Sequence, residues 1–142
     1  VKFVLDTNLI TVIIDGNRHP LYDRLAGRLD QVPGGPVVTI VSSQETMKGW
    51  LAYCAKARTP EKYIDAARKL HVALDFYSVI EMLDLDTRAA DLIKRLEKAN
   101  LKIGTMDLRI ASIVLAHDAT LLSANLSDFR KVPGLKVEDW SA

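Results

Sequence analysis

Asp6 closes the apolar run Val1-Lys2-Phe3-Val4-Leu5 and is followed at once by Thr7-Asn8. A β-prone run that ends in a carboxylate and then meets cap-type residues predicts a strand whose C-terminal tip presents an acid ahead of a helix. Open α/β sheets hold their ligands at that edge. Comparable junctions recur at Glu45 after Val37-Val38-Thr39-Ile40-Val41, at Asp107 ahead of Leu108-Arg109-Ile110-Ala111, and at Asn125 with Asp128 after Ala119-Thr120-Leu121-Leu122-Ser123. Carboxylates gathered at one sheet edge resist ionising together unless a cation lies between them. An all-oxygen set of that kind suits a hard divalent cation such as Mg²⁺ or Mn²⁺. Zinc is disfavoured, because His19, His71 and His117 show no paired ligand spacing and Cys54 stands alone.

Each of these residues also has a plainer reading. Asp6 could simply cap a helix, as could Thr7 or Asn8. Ser42-Ser43-Gln44-Glu45 is a Ser-x-x-Glu capping box, which would turn Glu45 back onto the Ser42 backbone. Against that, Gly49 follows one turn later, and a mid-helix glycine costs about 1 kcal/mol relative to alanine unless space on that face is wanted. Asp107 could be a favourable first-turn carboxylate behind a Thr105 cap. Its stripe, Ile110, Ala111 and Val114, instead places it on the inward face, where a carboxylate needs a partner or a cation. Asn125 and Asp128 could be ordinary turn residues, or Asp128 a cap.

The elements that must position these groups alternate along the chain. Strands are predicted near residues 2–5, 36–41, 79–83, 119–123 and 135–137, with helical patterns between them, which argues for a parallel sheet with right-handed crossovers. Thr59-Pro60 supplies a cap followed by proline, so 42–58 and 60–76 read as a consecutive helical pair forming an outer lobe. At 142 residues and 49% hydrophobic the chain supports one domain, expected over residues 1–142. A net charge of +1 gives no global basic footprint, so a nucleic-acid partner requires a local patch. No run approaches the roughly 18 apolar residues that span a bilayer, and no signal peptide is evident. With a lone cysteine, a cytoplasmic protein without membrane association is expected. There is no Gly-rich phosphate loop and no Ser nucleophile elbow.

Set in order, Asp6-Thr7-Asn8, Glu45-x-x-x-Gly49, Asp107 and Ala119-Thr120-Leu121-Leu122-Ser123-Ala124-Asn125-Leu126-Ser127-Asp128-Phe129 resemble the PIN-domain ribonucleases, and more narrowly the VapC toxins of VapBC toxin–antitoxin pairs. The tail from Phe129 through Val132-Pro133-Gly134 to Trp140 is similar to the end of many such chains. The resemblance spans nearly the whole chain and is weakest over residues 50–100.

The resemblance implies a three-layer α/β/α sandwich with a mostly parallel sheet of about five strands and an inserted helical pair. It implies hydrolysis of RNA phosphodiester bonds with Mg²⁺ or Mn²⁺, a VapB-type antitoxin partner and a homodimer. Asp6, Glu45 and Asp107 match the family's metal-binding acids. Thr7 and Asn8 match the polar pair that supports them, with Ser123 beside the site. Asn125 and Asp128 both match the fourth position, and Asn125 is favoured as the ligand with Asp128 supporting it. Lys48, Arg109, Arg130 and Lys131 are candidates for RNA phosphate contact by proximity to these residues. Two other classes compete. A phosphoryl-transfer enzyme or receiver domain usually shows an acid two residues after the first, where this chain has Asn8. A non-catalytic binding module would keep the fold without an occupied site.

Overall fold

The computed structural model describes residues 2–142; Val1, the first residue of the opening apolar run, lies outside the described residues. Five short strands, β1 (Phe3–Leu5), β2 (Val38–Thr39), β3 (Met82–Leu83), β4 (Thr120–Leu122) and β5 (Lys136–Glu138), alternate with seven helices. The helices are α1 (Thr7–Asp15), α2 (Tyr22–Leu29), α3 (Ile40–Lys56), α4 (Pro60–Val79), α5 (Thr87–Lys98), α6 (Thr105–Ala116) and α7 (Leu126–Phe129).

All the strand pairs are parallel. β1 runs beside β4 with Phe3 opposite Thr120 and Leu5 opposite Leu122, and β4 pairs β5 with Leu122 opposite Glu138. β2 pairs β3, and the backbone bonds Leu5 N to Val37 O and Val37 N to Phe3 O, each 2.9 Å, join that pair to β1. The resulting order is β3-β2-β1-β4-β5. With every strand pointing the same way, the residues that follow β1, β2 and β4 share one edge.

Strand alternation divides the core. Val4 and Leu121 point to one face, where they meet Ile110, Ala111 and Val114 of α6 and Phe129 of α7. Leu5, Val38 and Leu122 point to the other, against Leu9 and Ile10 of α1, Leu25 of α2 and Trp140. Helices thus cover both faces, as the three-layer expectation requires. The Trp140 ring lies 4.7 Å from that of Phe3, with the Arg28 guanidinium 4.5 Å from it on centroid distance. That contact ties the tail to the first strand.

Several boundaries move from their predicted places. The second strand stops at Thr39, because Thr39 is the N-cap of α3: its Oγ1 accepts the Ser42 N–H at 3.1 Å. Ile40 and Val41, β-prone by type, therefore form the first helical turn. The Ser42–Glu45 capping box does not form, since Ser42 lies within the helix at the third position after the cap. Thr59 does cap α4, accepting from Lys62 N, but that helix continues three residues beyond Phe76, to Val79. The third strand is accordingly shortened to two residues. Helix α1 ends at Gly16, whose φ of 63° suits glycine and whose N–H reaches back to Val12 and Ile13 carbonyls.

Candidate active site

Asp6 occupies the last position before α1 and is 4% exposed. Its Oδ1 accepts the Thr7 backbone N–H at 2.8 Å, so the capping reading holds. The second oxygen does something a cap does not need. Asp6 Oδ2 accepts a hydrogen bond from Ser123 Oγ at 2.8 Å, from the end of β4. Burial raises the Asp6 carboxyl above its ordinary range, the Ser123 and Thr7 hydrogen bonds lower it, and the nearby charge of Glu45 raises it further; the net direction is upward.

Glu45 reaches the same edge from α3. Because Thr39 is the cap, Glu45 lies one turn further into the helix and its side chain is free to turn toward α1. Its Oε1 accepts the Thr7 hydroxyl at 2.6 Å. Ser42 Oγ stands 2.9 Å from the same hydroxyl. Thr7 has one proton to give and an ionised carboxylate can only accept, so Ser42 serves as donor to Thr7.

Asp107 is in the first turn of α6, on the stripe expected from its spacing: Ile110, Ala111 and Val114 are fully buried. The helix is buried more nearly all round than an amphipathic pattern suggests, with Leu108, Ser112 and Ile113 also inside. Desolvation, followed by the charges of Asp6, Glu45 and Asp128, pushes the Asp107 carboxyl up to about 6. All four influences act in the same direction. Gly104, not Thr105, precedes the helix as its cap residue.

The fourth position is a pair. Asn125 precedes α7, its backbone N–H donates to Ser123 Oγ at 2.9 Å, and its Nδ2 donates to Asp128 Oδ2 at 3.1 Å. Asp128 sits inside the first turn of α7 and is not its cap. The Asn125 hydrogen bond, then that from Lys131, holds the Asp128 carboxyl below its usual value. A continuous chain of hydrogen bonds thus runs from Asp128 through Asn125, Ser123, Asp6 and Thr7 to Glu45 and Ser42. Asn8, expected to support the acids beside Thr7, is exposed on the next residue of α1.

The donor set fits a hard cation. Among the described residues no lysine, arginine or histidine pairs with Asp6, Glu45 or Asp107. Nor does any group of three or more acid, histidine or cysteine side chains among them stand ready to grip an ion. The all-oxygen chemistry of these side chains is of the kind a hard divalent cation takes, without a closed protein cage among the described residues.

The candidate phosphate contacts separate. Lys48 and Arg109 line a groove of about 560 Å³ together with Glu45 and Gly49. Lys131 is already engaged by Asp128 Oδ1 and the Lys102 carbonyl, each at 3.1 Å. Arg130 is exposed just past α7.

Sequence comparison decides the family. The PIN-domain model matches residues 3–135. Ribonuclease VapC2 of Rickettsia felis is 30% identical over 143 residues, covering 97% of both chains. The chain belongs to the PIN-domain family, among the VapC ribonucleases. A second relative of this PIN domain, the tRNA(fMet)-specific endonuclease VapC of Salmonella typhimurium, is 28% identical across 99% of this chain and 98% of its own. The DNA-bound VapBC structure from Salmonella typhimurium aligns with a TM-score of 0.76 at 27% identity, covering 99% of this chain and 98% of that one. VapBC2 from Rickettsia felis, bound to a promoter DNA fragment, aligns at a TM-score of 0.70 and 26% identity over 99% of each chain.

Two polar residues of this PIN domain escaped the sequence reading. Ser42, which the capping-box alternative puts at a helix start, is the buried neighbour of Thr7, and Thr39, within the predicted strand, is the cap. A Thr three residues ahead of Ser42 was the available signal, and the β-prone residues around it concealed it.

Proposed function

We propose that this PIN domain is the VapC-type toxin of a VapBC pair, an endoribonuclease that needs Mg²⁺ or Mn²⁺. The observation that supports the metal requirement is that Thr7 joins Asp6 and Glu45 at one edge and that both charges bear on Asp107, with no protein cation paired to any of the three among the described residues. Structured RNA is the proposed substrate class, in line with the transfer-RNA specificity printed in the name of the Salmonella relative. A VapB-type antitoxin and a second copy of the chain are the proposed protein partners, by kinship with the VapBC complexes.

In this reading Asp6, Glu45, Asp107 and the side-chain oxygen of Asn125 would hold the ion. When bound, a divalent cation offsets charge on the phosphodiester and lowers the pKa of an attacking water. The chain's own contributions are positional. Ser123 fixes one oxygen of Asp6, Thr7 turns Glu45 toward the edge, and Asp128 anchors Asn125 through the amide nitrogen, which leaves the amide oxygen facing away from that bond. Lys48 and Arg109 line one groove with Glu45, which supports a role for them in binding phosphate oxygens of the RNA strand.

Purified protein free of antitoxin, incubated with bulk RNA and Mg²⁺, tests the proposal. Cleavage that stops with chelator and is absent in Asp6→Asn supports it; RNA left intact by the wild type at saturating Mg²⁺ or Mn²⁺ rules it out.

A further inference from the structure

Next to the acids, the inserted helical pair carries an aromatic seat that the hydrolytic chemistry leaves unexplained. Glu45, Gly49 and Tyr53 fall four residues apart on α3, with Trp50 beside them, so they share one face of the helix. With Thr46, this face lines a cavity of about 340 Å³ whose remaining wall is Thr7 and Thr11 of α1. Trp50 and Tyr53 meet edge to face, 5.7 Å between centroids and 74° between planes. Trp50 lies five residues from Glu45, about 7.5 Å along the helix axis. Both residues line the one cavity, so a nucleotide next to a bond held at Glu45 is the unit on the scale of that offset.

The seat is held in place before anything binds. The Tyr53 hydroxyl donates to Asp65 Oδ2 of α4 at 3.1 Å, and Lys69 pairs with the same carboxylate oxygen at 3.4 Å. That leaves the Lys69 ammonium 5.3 Å from the Tyr53 ring and 5.8 Å from the Trp50 ring. Tyr53 nevertheless remains 42% exposed. An aromatic pair fixed by a second helix loses little freedom when a flat group stacks on it.

Gly49 connects this seat to the basic groove. It lines both the cavity containing Trp50 and Tyr53 and the groove containing Lys48 and Arg109, and Glu45 is the other residue common to the two. A Cβ placed on Gly49 would meet nothing within 4 Å. Close packing inside the protein therefore does not require glycine there. Its lack of a side chain keeps a low saddle open across α3.

We propose that Trp50 and Tyr53 seat an unpaired base of the RNA strand adjacent to the bond held at Glu45, with the backbone passing over Gly49 toward Lys48 and Arg109. The inference rests on the ribonuclease reading for the identity of the strand. Charge on the far side of the saddle favours RNA over a peptide as occupant: Lys48 and Arg109 line the adjoining groove with no ion-pair partner among the described residues and attract a polyanion, whereas Lys69 is engaged by Asp65 and serves to hold the seat. Bases stack on aromatic side chains with little regard to sequence, and unpaired loops are where RNA offers them.

The test measures binding apart from cleavage. Asp6→Asn protein without metal is titrated with fluorescently labelled single-stranded RNA decamers, intact or with one abasic nucleotide moved along the strand. Trp50→Ala in that background is expected to weaken binding of the intact strand about tenfold or more, and Trp50→Phe to weaken it less. An abasic nucleotide at one position should weaken binding to the parent protein, and cost Trp50→Ala almost nothing further. Gly49→Leu should raise the melting temperature, by replacing a mid-helix glycine, while weakening binding. Equal affinity of the Trp50→Ala and parent proteins overturns the seat, as does an abasic penalty that Trp50→Ala retains in full. Loss of antitoxin binding with RNA binding unchanged would assign the pocket to the protein partner and overturn it too. Stacking measured this way in a protein that cuts no RNA would sustain the seat and remove only the nuclease reading.

Discussion

The Thr7 hydroxyl, on the first residue of α1, donates to Glu45 Oε1 of α3 at 2.6 Å. Through its backbone N–H the same residue holds Asp6 Oδ1 at 2.8 Å. One threonine therefore bridges an acid at the end of β1 and an acid from within α3. A hydrogen bond to a charged group is worth about 1.5–3 kcal/mol. Thr7→Val, which keeps shape and removes the hydroxyl, is expected to lower kcat/KM about tenfold or more with the fold intact, whereas Thr7→Ser retains most of the activity. RNA cleavage at fixed Mg²⁺ checks this, and wild-type rates for Thr7→Val would show that the bridge is incidental.

Neutralising the acids should separate stability from activity. Asp6→Asn and Asp107→Asn are both expected to abolish cleavage. Metal-free Asp107→Asn should melt higher than the wild type, because every influence on that carboxyl disfavours its charge. Asp6→Asn should gain less, since Asp6 is hydrogen-bonded by Ser123 and Thr7 and an amide can satisfy only one of those donors through its oxygen. Thermal melts in chelator compare the two.

The same carboxyl sets a pH dependence. Asp107 has a folded-state pKa of about 6 against 3.8 for the ordinary group, so the folded protein binds that proton more tightly than the unfolded chain does. Stability of the metal-free protein should therefore fall as pH rises from about 4 through 6 and then level off. Asp6, also shifted upward, acts in the same sense, while Asp128, shifted downward, acts below pH 3.8. Denaturant melts across pH 4–7 measure the slope, and Asp107→Asn should flatten it. Mn²⁺ affinity, read by calorimetry, should rise across the same window because the ion competes with the proton.

At the fourth position the hydrogen bonds support different roles for the two residues. Asn125 spends its amide nitrogen on Asp128, while Asp128 is held by both Asn125 and Lys131. Asn125→Ala is expected to raise the metal concentration for half-maximal activity with little loss of stability. Asp128→Ala should lower both activity and melting temperature. Metal titrations on the folded variants decide it, and an unchanged metal requirement in Asn125→Ala would move the ligand role to Asp128.

Much of this site could be read from the residues alone, because strand-end acids in a parallel sheet share an edge by geometry. Asp6 and the Asn125–Asp128 pair needed only strand boundaries good to a residue or two, while Asp107 was placed by the apolar stripe of its helix, Ile110, Ala111 and Val114. Glu45 was harder, since its surroundings fit a capping box. The choice turned on Thr39, whose side chain caps α3 where residue type alone favoured continuing the strand. On α3 the spacing of Glu45, Gly49 and Tyr53 carried the aromatic face in the residues themselves, but its anchoring did not: Asp65 reaches the Tyr53 hydroxyl only when α4 packs alongside. Likewise Lys131 lay close to a ligand in sequence, but its pairing with Asp128 depends on how α7 turns.

The bond from Ser123 to Asp6 joins residues 117 positions apart. β1 finds its neighbour β4 only when that later segment exists, so contacts of long sequence separation gate the sheet and slow its assembly. During synthesis Asp6 emerges early, yet its carboxylate lacks both its serine donor and the Asn125 side until more than a hundred further residues have followed. A chain interrupted before β4 would carry Asp6 and Glu45 without the assembled edge. Cleavage is therefore expected only from chains that extend through β4 and Asn125, after most of the sequence has been translated.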